Sequence, residues 1–267
     1  MTERPFKRLP YLIAVSHIGP LPGNPRYGGS LEEAVEKAVA DARAAEEGGA
    51  DGIIVENYLD SPYPRDEAGP LKVAAMAVIV REVVKAVTIP VGVSLLRNCG
   101  PEAAAIAHAA GASFIRVNAL AQAVVSDQGI LEPVAYRLAA AEALMRWSPY
   151  VMADVNVKHA APLAPRPLRE VIEETVVRGG ADAVIVTGPA TGKPPTPEEV
   201  AEARKHLPPK ADLVVGSGMA PDNIRHYIDH ADGFIVGTYL KDEKGIIRAE
   251  KVKRIADAIR PSNTQIS

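Results

Sequence analysis

Residues 48–57 read GGADGIIVEN. The paired glycines suit the end of a helix, where the backbone must leave the helical path without a side-chain penalty. The apolar run after Gly-Ala-Asp suits a short strand buried on both faces, and the Glu-Asn that follows puts polar groups at its C-terminal end. Residues 30–48 in front of it carry the alanine, glutamate and spacing of a helix opened by a serine. A strand fed by a helix through a tight turn points to a parallel sheet, because parallel strands need a crossover connection.

The same unit recurs along the chain. Strands are predicted over 11–17, 51–57, 90–98, 113–118, 150–159, 182–188, 212–218 and 232–238, and helices over 30–48, 69–87, 101–110, 133–147, 167–178, 197–207, 221–229 and 250–260. Eight βα units in 267 residues match a single α/β domain of the TIM (β/α)8 barrel class, with an open doubly wound sheet as the rival. GGADAVIVTG at 179–188 echoes the opening stretch, and AGASFIRVN at 110–118 echoes HADGFIVGT at 230–238. Each pair is four strands apart, the offset that half-barrel duplication would leave. One domain is expected over 1–267, with a lead-in at 1–9 and a flexible tail at 261–267.

Composition excludes several function classes. A net charge of −3 with acids and bases interspersed offers no basic stripe for nucleic acid and no polybasic patch for a membrane surface. The sole cysteine, Cys99, rules out an intramolecular disulfide and a four-cysteine zinc site, so a reducing cytoplasm is the expected compartment. The basic residues before the apolar run at 11–15 read as the approach to a first strand rather than as a secretory leader. No apolar stretch approaches the roughly 20 residues that span a bilayer, so no membrane insertion is expected. Prolines concentrate in loops such as GPLPGNP (19–25) and PLAPRP (162–167), where they stiffen the unfolded chain. A homo-oligomer stays open.

Side chains alternate across a strand. Over 150–159, Val151, Ala153, Val155 and Val157 should face the helices, leaving Met152, Asp154, Asn156 and Lys158 facing the barrel interior near its C-terminal mouth. The same test turns Glu56 inward on the second strand, Ser94 and Asn98 on the third, and Arg116 and Asn118 on the fourth. The interior thus holds two acids, Glu56 and Asp154, and two bases, Arg116 and Lys158, among amides that include Asn57. Unpaired, each charge would cost several kcal/mol (roughly). A mutually satisfied ion network without chemistry is the competing reading. Lys158, either as an amine freed of its proton or as a charged clamp, is the sharpest catalytic candidate, with Asp154 and Glu56 beside it.

His17 precedes the rigid first loop and is a candidate substrate contact, whereas alternation turns His159 away from the mouth. Glu56 and Asp154 with a histidine could hold a divalent metal, but no H-x-x-x-H or comparable ligand spacing appears, and no cofactor is expected. The seventh and eighth strands end in GSGMAPDN and GTYLK. Glycine there leaves backbone N–H groups open, and the loops after these two strands often hold phosphate in this fold. Gly216, Ser217, Gly218, Gly237 and Thr238 form a candidate phosphate cup. The sixth-strand loop TGPATGKPPTPEE adds Thr187 and Gly188, with Thr191, Gly192 and Lys193, but lacks the full G-x-x-x-x-G-K-[ST] spacing of a nucleotide P-loop.

At these residues the chain resembles the BtpA/SgcQ family. The resemblance runs through VSHIGPLPGNPRY, DGIIVENYLDSPY, VGVSLLRN, GASFIRVN, DQGI, ADVNVKHA, ADAVIVTGPATG, VVGSGMAPDNI and DGFIVGTYLK, nearly end to end. It implies a TIM barrel of the phosphate-binding type. Its named member is a photosystem I biogenesis or stability factor, and its SgcQ branch is associated with sugar-phosphate metabolism. Ser16, where the family commonly has Val or Met, and Cys99, where it has a polar or charged residue, depart from that pattern.

Two functions follow as expectations. The first is an enzyme on a phosphorylated small molecule such as a sugar phosphate, by lyase, isomerase or glycosyl-transfer chemistry. Lys158, Asp154 and Glu56 would act on it, and His17, Asn57, Asn98, Arg116, Asn118, Asn156 and Thr187 would position it. The second is a non-catalytic photosystem I biogenesis or stability factor.

Overall fold

The structure is a computed structural model, and it describes residues 2–260; the tail expected at 261–267 lies outside the described residues. Eight parallel strands close into a barrel: β1 (Tyr11–His17), β2 (Gly52–Glu56), β3 (Val91–Ser94), β4 (Phe114–Val117), β7 (Tyr150–Asp154), β9 (Ala183–Val186), β10 (Asp212–Gly216) and β11 (Gly233–Val236), with β11 returning to β1. Three short strands, β5 (Val124–Ser126), β6 (Gly129–Leu131) and β8 (Ala160–Pro162), form a separate antiparallel sheet. Helices α1 (Leu31–Glu47), α2 (Pro70–Ala86), α3 (Gly100–Ala110), α4 (Ala135–Met145), α5 (Leu168–Glu173), α6 (Pro197–His206) and α7 (Ala249–Ile259) follow barrel strands. The fold is a TIM barrel. No helix among the described residues is long and apolar enough to cross a membrane.

The Gly-Ala-Asp turn has a structural job. Asp51 accepts the Leu12 N–H at 2.8 Å, Asp182 accepts that of Val151 at 2.9 Å, and Asp232 accepts that of Leu213 at 2.8 Å. Each aspartate, placed just before its strand, thus ties the N-terminal end of the preceding barrel strand. The recurrence seen in the sequence is a repeated solution to pairing short parallel strands, where an unpaired buried N–H would cost about 1–3 kcal/mol.

Alternation sorts two cores. Ile53, Val55, Ile115, Val117, Val151 and Ala153 pack between sheet and helices, whereas Tyr11, Ile13, Ile54, Phe114, Tyr150, Met152, Ile185 and Val214 fill the barrel. At the base, Phe6 from the lead-in stacks on Tyr11 at 4.3 Å between centroids. Glycine opposite each large ring makes room: a Cβ on Gly233 would lie 2.0 Å from the Tyr11 ring, and one on Gly92 2.2 Å from Phe114.

Several elements depart from the sequence reading, the strand expected over 90–98, which stops at Ser94, among them. The helix expected over 221–229 is reduced to a 3-10 turn at Ile224–His226. There the Asn223 side chain accepts the Ala220 N–H and donates to the Gly218 carbonyl, local bonds that compete with a helix. The helix expected over 167–178 widens into a π turn at Glu174–Arg178, where the Thr175 hydroxyl bonds back to the Val171 carbonyl. The strand expected over 150–159 stops at Asp154, so alternation does not govern Asn156, Lys158 or His159.

Candidate active site

The mouth of the barrel is built by strand ends that deliver charge. Glu56, the last residue of β2, accepts a hydrogen bond from the Ser94 hydroxyl at the end of β3, 2.8 Å away. Arg116 on β4 reaches across to Asp154 on β7, with Nη2 at 3.0 and 3.2 Å from the two carboxylate oxygens. Its Nη1 lies 4.0 Å from Glu56 Oε2. Asn118 donates to Asp154 Oδ2 at 2.5 Å. Burial opposes the Arg116 charge, but Asp154 and Glu56 outweigh it and hold the guanidinium above its ordinary pKa.

Beyond β7 the chain turns, and β8 pairs with β5, Ala160 opposite Ser126. That pairing fixes the loop that carries Lys158. The Lys158 ammonium makes no ion pair or hydrogen bond among the described residues. Burial first, then the Arg116 charge, lowers its pKa to about 8, against the pull of Asp154 and Glu56. A lysine in this state exchanges its proton near neutral pH.

His17, at the end of β1, lies with Nε2 3.7 Å from Glu56 Oε1 and stacks on the Tyr58 ring at 4.3 Å. Burial, with Lys241, Lys37, Lys158 and Arg116 around it, pushes its pKa down to about 2, so the imidazole is neutral. Lys241 was not singled out in the sequence. Its amine donates to the carbonyls of Val15 at 2.6 Å and Gly237 at 3.2 Å, and burial lowers its pKa to about 8.

Two adjoining cavities open here. The inner one, about 60 Å³, is lined by His17, Glu56, Arg116 and Lys158 together with Gly216, Ser217, Gly218, Gly237 and Thr238. The outer one, about 360 Å³, shares Glu56, Tyr58, Arg116, Lys158 and Thr191 with it and adds Arg97, Asn118, Asp154, Asp127 and His159. All five glycine-loop residues therefore line one cavity with Glu56 and Lys158. A Cβ on Gly218, which has φ 65°, would lie 2.3 Å from the Pro194 nitrogen, so only glycine fits that turn.

Several expected residues lie elsewhere. Asn57 is buried between Asp60 and Leu96, accepting the Leu96 N–H at 2.8 Å. Asn98 bonds Ala119 and Glu132 and ties β3's loop to β4's. Asn156 is exposed, its carbonyl taking the Thr187 hydroxyl at 2.6 Å. Gly188 packs against the Lys193–Pro194 backbone, where a Cβ would lie 2.1 Å from the Lys193 carbonyl oxygen. Neither cavity is lined by Asn57, Asn98, Asn156, Thr187 or Gly188. His159, by contrast, lines the outer cavity and bonds Thr191 at 3.2 Å.

Arg97 and Asp127 were also missed. Alternation along a strand running to 98 would have turned Arg97 outward, but β3 ends at Ser94 and the following loop turns it into the mouth. Asp127 sits in the two-residue turn between β5 and β6, which the sequence reading did not contain. Among the described residues, no group of three or more His, Cys, Asp or Glu side chains is placed to hold a metal ion. Asp154 is engaged by Arg116 and Asn118 instead. The two departures are absorbed locally: Ser16 donates to Asp41 at 2.6 Å, and Cys99 is buried, its thiol pushed up to about 12.

Comparison with known proteins agrees with this architecture. An uncharacterized protein of Pyrococcus furiosus is 40% identical over 264 residues, covering 99% of this chain and 98% of its own. The photosystem I biogenesis protein BtpA of Synechocystis is 40% identical over 238 residues, covering 89% of this chain and 83% of its own. Among solved structures, N-(5'-phosphoribosyl)anthranilate isomerase from Pyrococcus furiosus superposes with a TM-score of 0.58 at 13% identity, over 94% of this chain and 99% of that one, a likeness of fold. The BtpA family pattern matches residues 8–261, so the chain, by both measures, belongs to the BtpA family.

Proposed function

We propose that the chain is an enzyme acting on a phosphorylated small molecule such as a sugar phosphate. The observation that carries this reading is the shared cavity: the glycine-rich ends of β10 and β11 line the same inner cavity as Glu56, Arg116 and Lys158. Phosphate would rest on the backbone of Gly216–Gly218 and Gly237–Thr238, where glycine allows close approach. Lys158, with its pKa near 8, would take or give a proton at the adjoining carbon, and Arg116 would stabilise negative charge developing on oxygen. Glu56, held by Ser94 and facing neutral His17, is a second proton-transfer group. Asp154 would position Arg116 rather than meet the substrate.

The other reading, a non-catalytic photosystem I biogenesis factor, draws on the Synechocystis relative's name. A scaffold has no need for an unpaired amine and incompletely bonded guanidinium groups inside a cavity, since each lowers stability.

The test is thermal unfolding against sugar phosphates, inorganic phosphate, nucleotides and divalent metals. A ligand at 100 times its Kd adds about 2.7 kcal/mol, a shift of several degrees. A phosphorylated compound should stabilise the native chain. The shift should change with Lys158→Ala and fall with Gly237→Ala, whose new methyl has no neighbour closer than 3.5 Å and so tests the cup without disturbing the fold. If no phosphorylated compound shifts the folded protein, the enzyme reading fails.

A further inference from the structure

The outer cavity contains a buried cation without a counter-ion. Arg97 is 8% exposed, and one Nη donates to the Lys158 carbonyl. Its Nε has no partner, and no carboxylate among the described residues comes within ion-pair distance of its guanidinium. Arg116, at the same mouth, has both Asp154 and Glu56 in reach. A buried guanidinium without a counter-ion is strongly unfavourable. Among the described residues nothing supplies the missing charge, so an anionic ligand is the candidate partner.

Position and shape say which kind of partner. The inner and outer cavities meet at Glu56, Arg116 and Lys158, so a molecule with its phosphate on the glycine loops reaches Arg97 only by passing those side chains. No glycine lines the outer cavity; Leu96, Tyr58 and Tyr63 line it with Arg97, together with polar groups such as Asp127 and His159. A single planar fork with apolar and aromatic neighbours matches the two coplanar oxygens of a carboxylate better than a tetrahedral phosphate, which recruits several backbone donors. We propose that Arg97 binds a carboxylate at the end of the substrate remote from its phosphate, making the substrate class a phosphorylated carboxylic acid. This rests on the phosphate reading above and narrows it. The carbon atoms between the two anionic ends would lie against Glu56 and Lys158.

The test uses matched pairs in calorimetric titration: 3-phosphoglycerate against glycerol 3-phosphate, 4-phosphoerythronate against erythritol 4-phosphate, and 6-phosphogluconate against glucitol 6-phosphate. Inorganic phosphate and fructose 1,6-bisphosphate complete the set. At one chain length the acid should bind the native protein roughly tenfold or more tightly than its alcohol, the scale of one charge-assisted bidentate contact. Arg97→Met should erase that ratio while leaving the alcohol's affinity nearly unchanged, and Arg97→Lys should restore part of it. Equal binding of acid and alcohol at every length overturns the proposal, as does an acid preference that survives Arg97→Met or a bisphosphate that outbinds every acid. Should Arg97→Met fail to fold by circular dichroism, the native acid-to-alcohol ratio still decides. Binding of inorganic phosphate and glycerol 3-phosphate with no gain from a carboxylate overturns this inference alone. Binding of none of them overturns the phosphate reading and this inference with it.

Discussion

Both ends of the barrel bury ionised groups, and they treat them differently. At the base, Asp212 accepts Arg4 at 2.7 and 2.8 Å, the Tyr11 hydroxyl at 3.1 Å and the Tyr150 hydroxyl at 2.7 Å, under a lid formed by Phe6. No buried side-chain polar atom in that cluster lacks a partner. At the mouth, Arg97 Nε, Arg116 Nε and Asn118 Oδ1 are buried without partners among the described residues, and the Lys158 amine has none among them either. Both ends set an arginine against a buried aspartate, so the difference is one of completion. A closed network fixes the barrel, whereas an open one holds donors and acceptors that no described residue engages.

The comparison breaks most visibly at the base. Asp212→Ala would strand two buried phenol hydroxyls and leave Arg4 without its carboxylate, lowering stability by about 3 kcal/mol. A denaturant midpoint reads the loss, and stabilisation by a phosphorylated ligand should survive, because Asp212 lies outside both cavities. Loss of ligand response with the fold intact would show that the two ends are coupled.

The next largest effect lies at the mouth, in acid. His17 has a folded pKa of about 2 against an ordinary 6.5. Between those values the unfolded chain binds a proton that the folded chain does not, so stability falls as pH drops through 6.5, by about 1 kcal/mol per pH unit. His17→Gln removes this contribution. Between pH 6 and pH 4 the variant should therefore lose about 2 kcal/mol less than the native chain. Parallel stability curves would show that the imidazole is not held neutral.

The base and the mouth also differed in how readable they were. Alternation assigned Glu56, Arg116 and Asp154 inward correctly because each lies within a paired strand, and a closed parallel barrel leaves one way to face. The aspartates before β2, β9 and β11 were visible as a repeat, though their bonds to neighbouring strands were not. Past the strand ends the rule had no force. Arg97 turns into the mouth and Asn156 out of it because loops take their direction from long-range contacts, here the pairing of β8 with β5 and the packing of Asn98 on Ala119. The small sheet itself escaped notice: its three strands are three residues each, and two are joined by the turn Asp127–Gln128 rather than by a glycine pair.

The smallest effect has the opposite sign, which makes it the most discriminating. Lys158→Met replaces a half-buried, unpartnered amine with an apolar chain of similar length, and should stabilise the protein by about 1 kcal/mol at neutral pH while altering its response to a phosphorylated ligand. The gain has a pH signature. The folded Lys158 releases its proton near pH 8, whereas the unfolded lysine holds it to about 10.5, so between these values the unfolded state binds more protons and native stability rises with pH. The variant lacks that rise, and its advantage should shrink from pH 8 upward. A residue belonging to a closed network like that at Asp212 would behave the other way, losing stability on truncation at every pH. A stability loss with Lys158→Met would therefore place the mouth in the same category as the base and remove the physical ground for treating it as a site of chemistry.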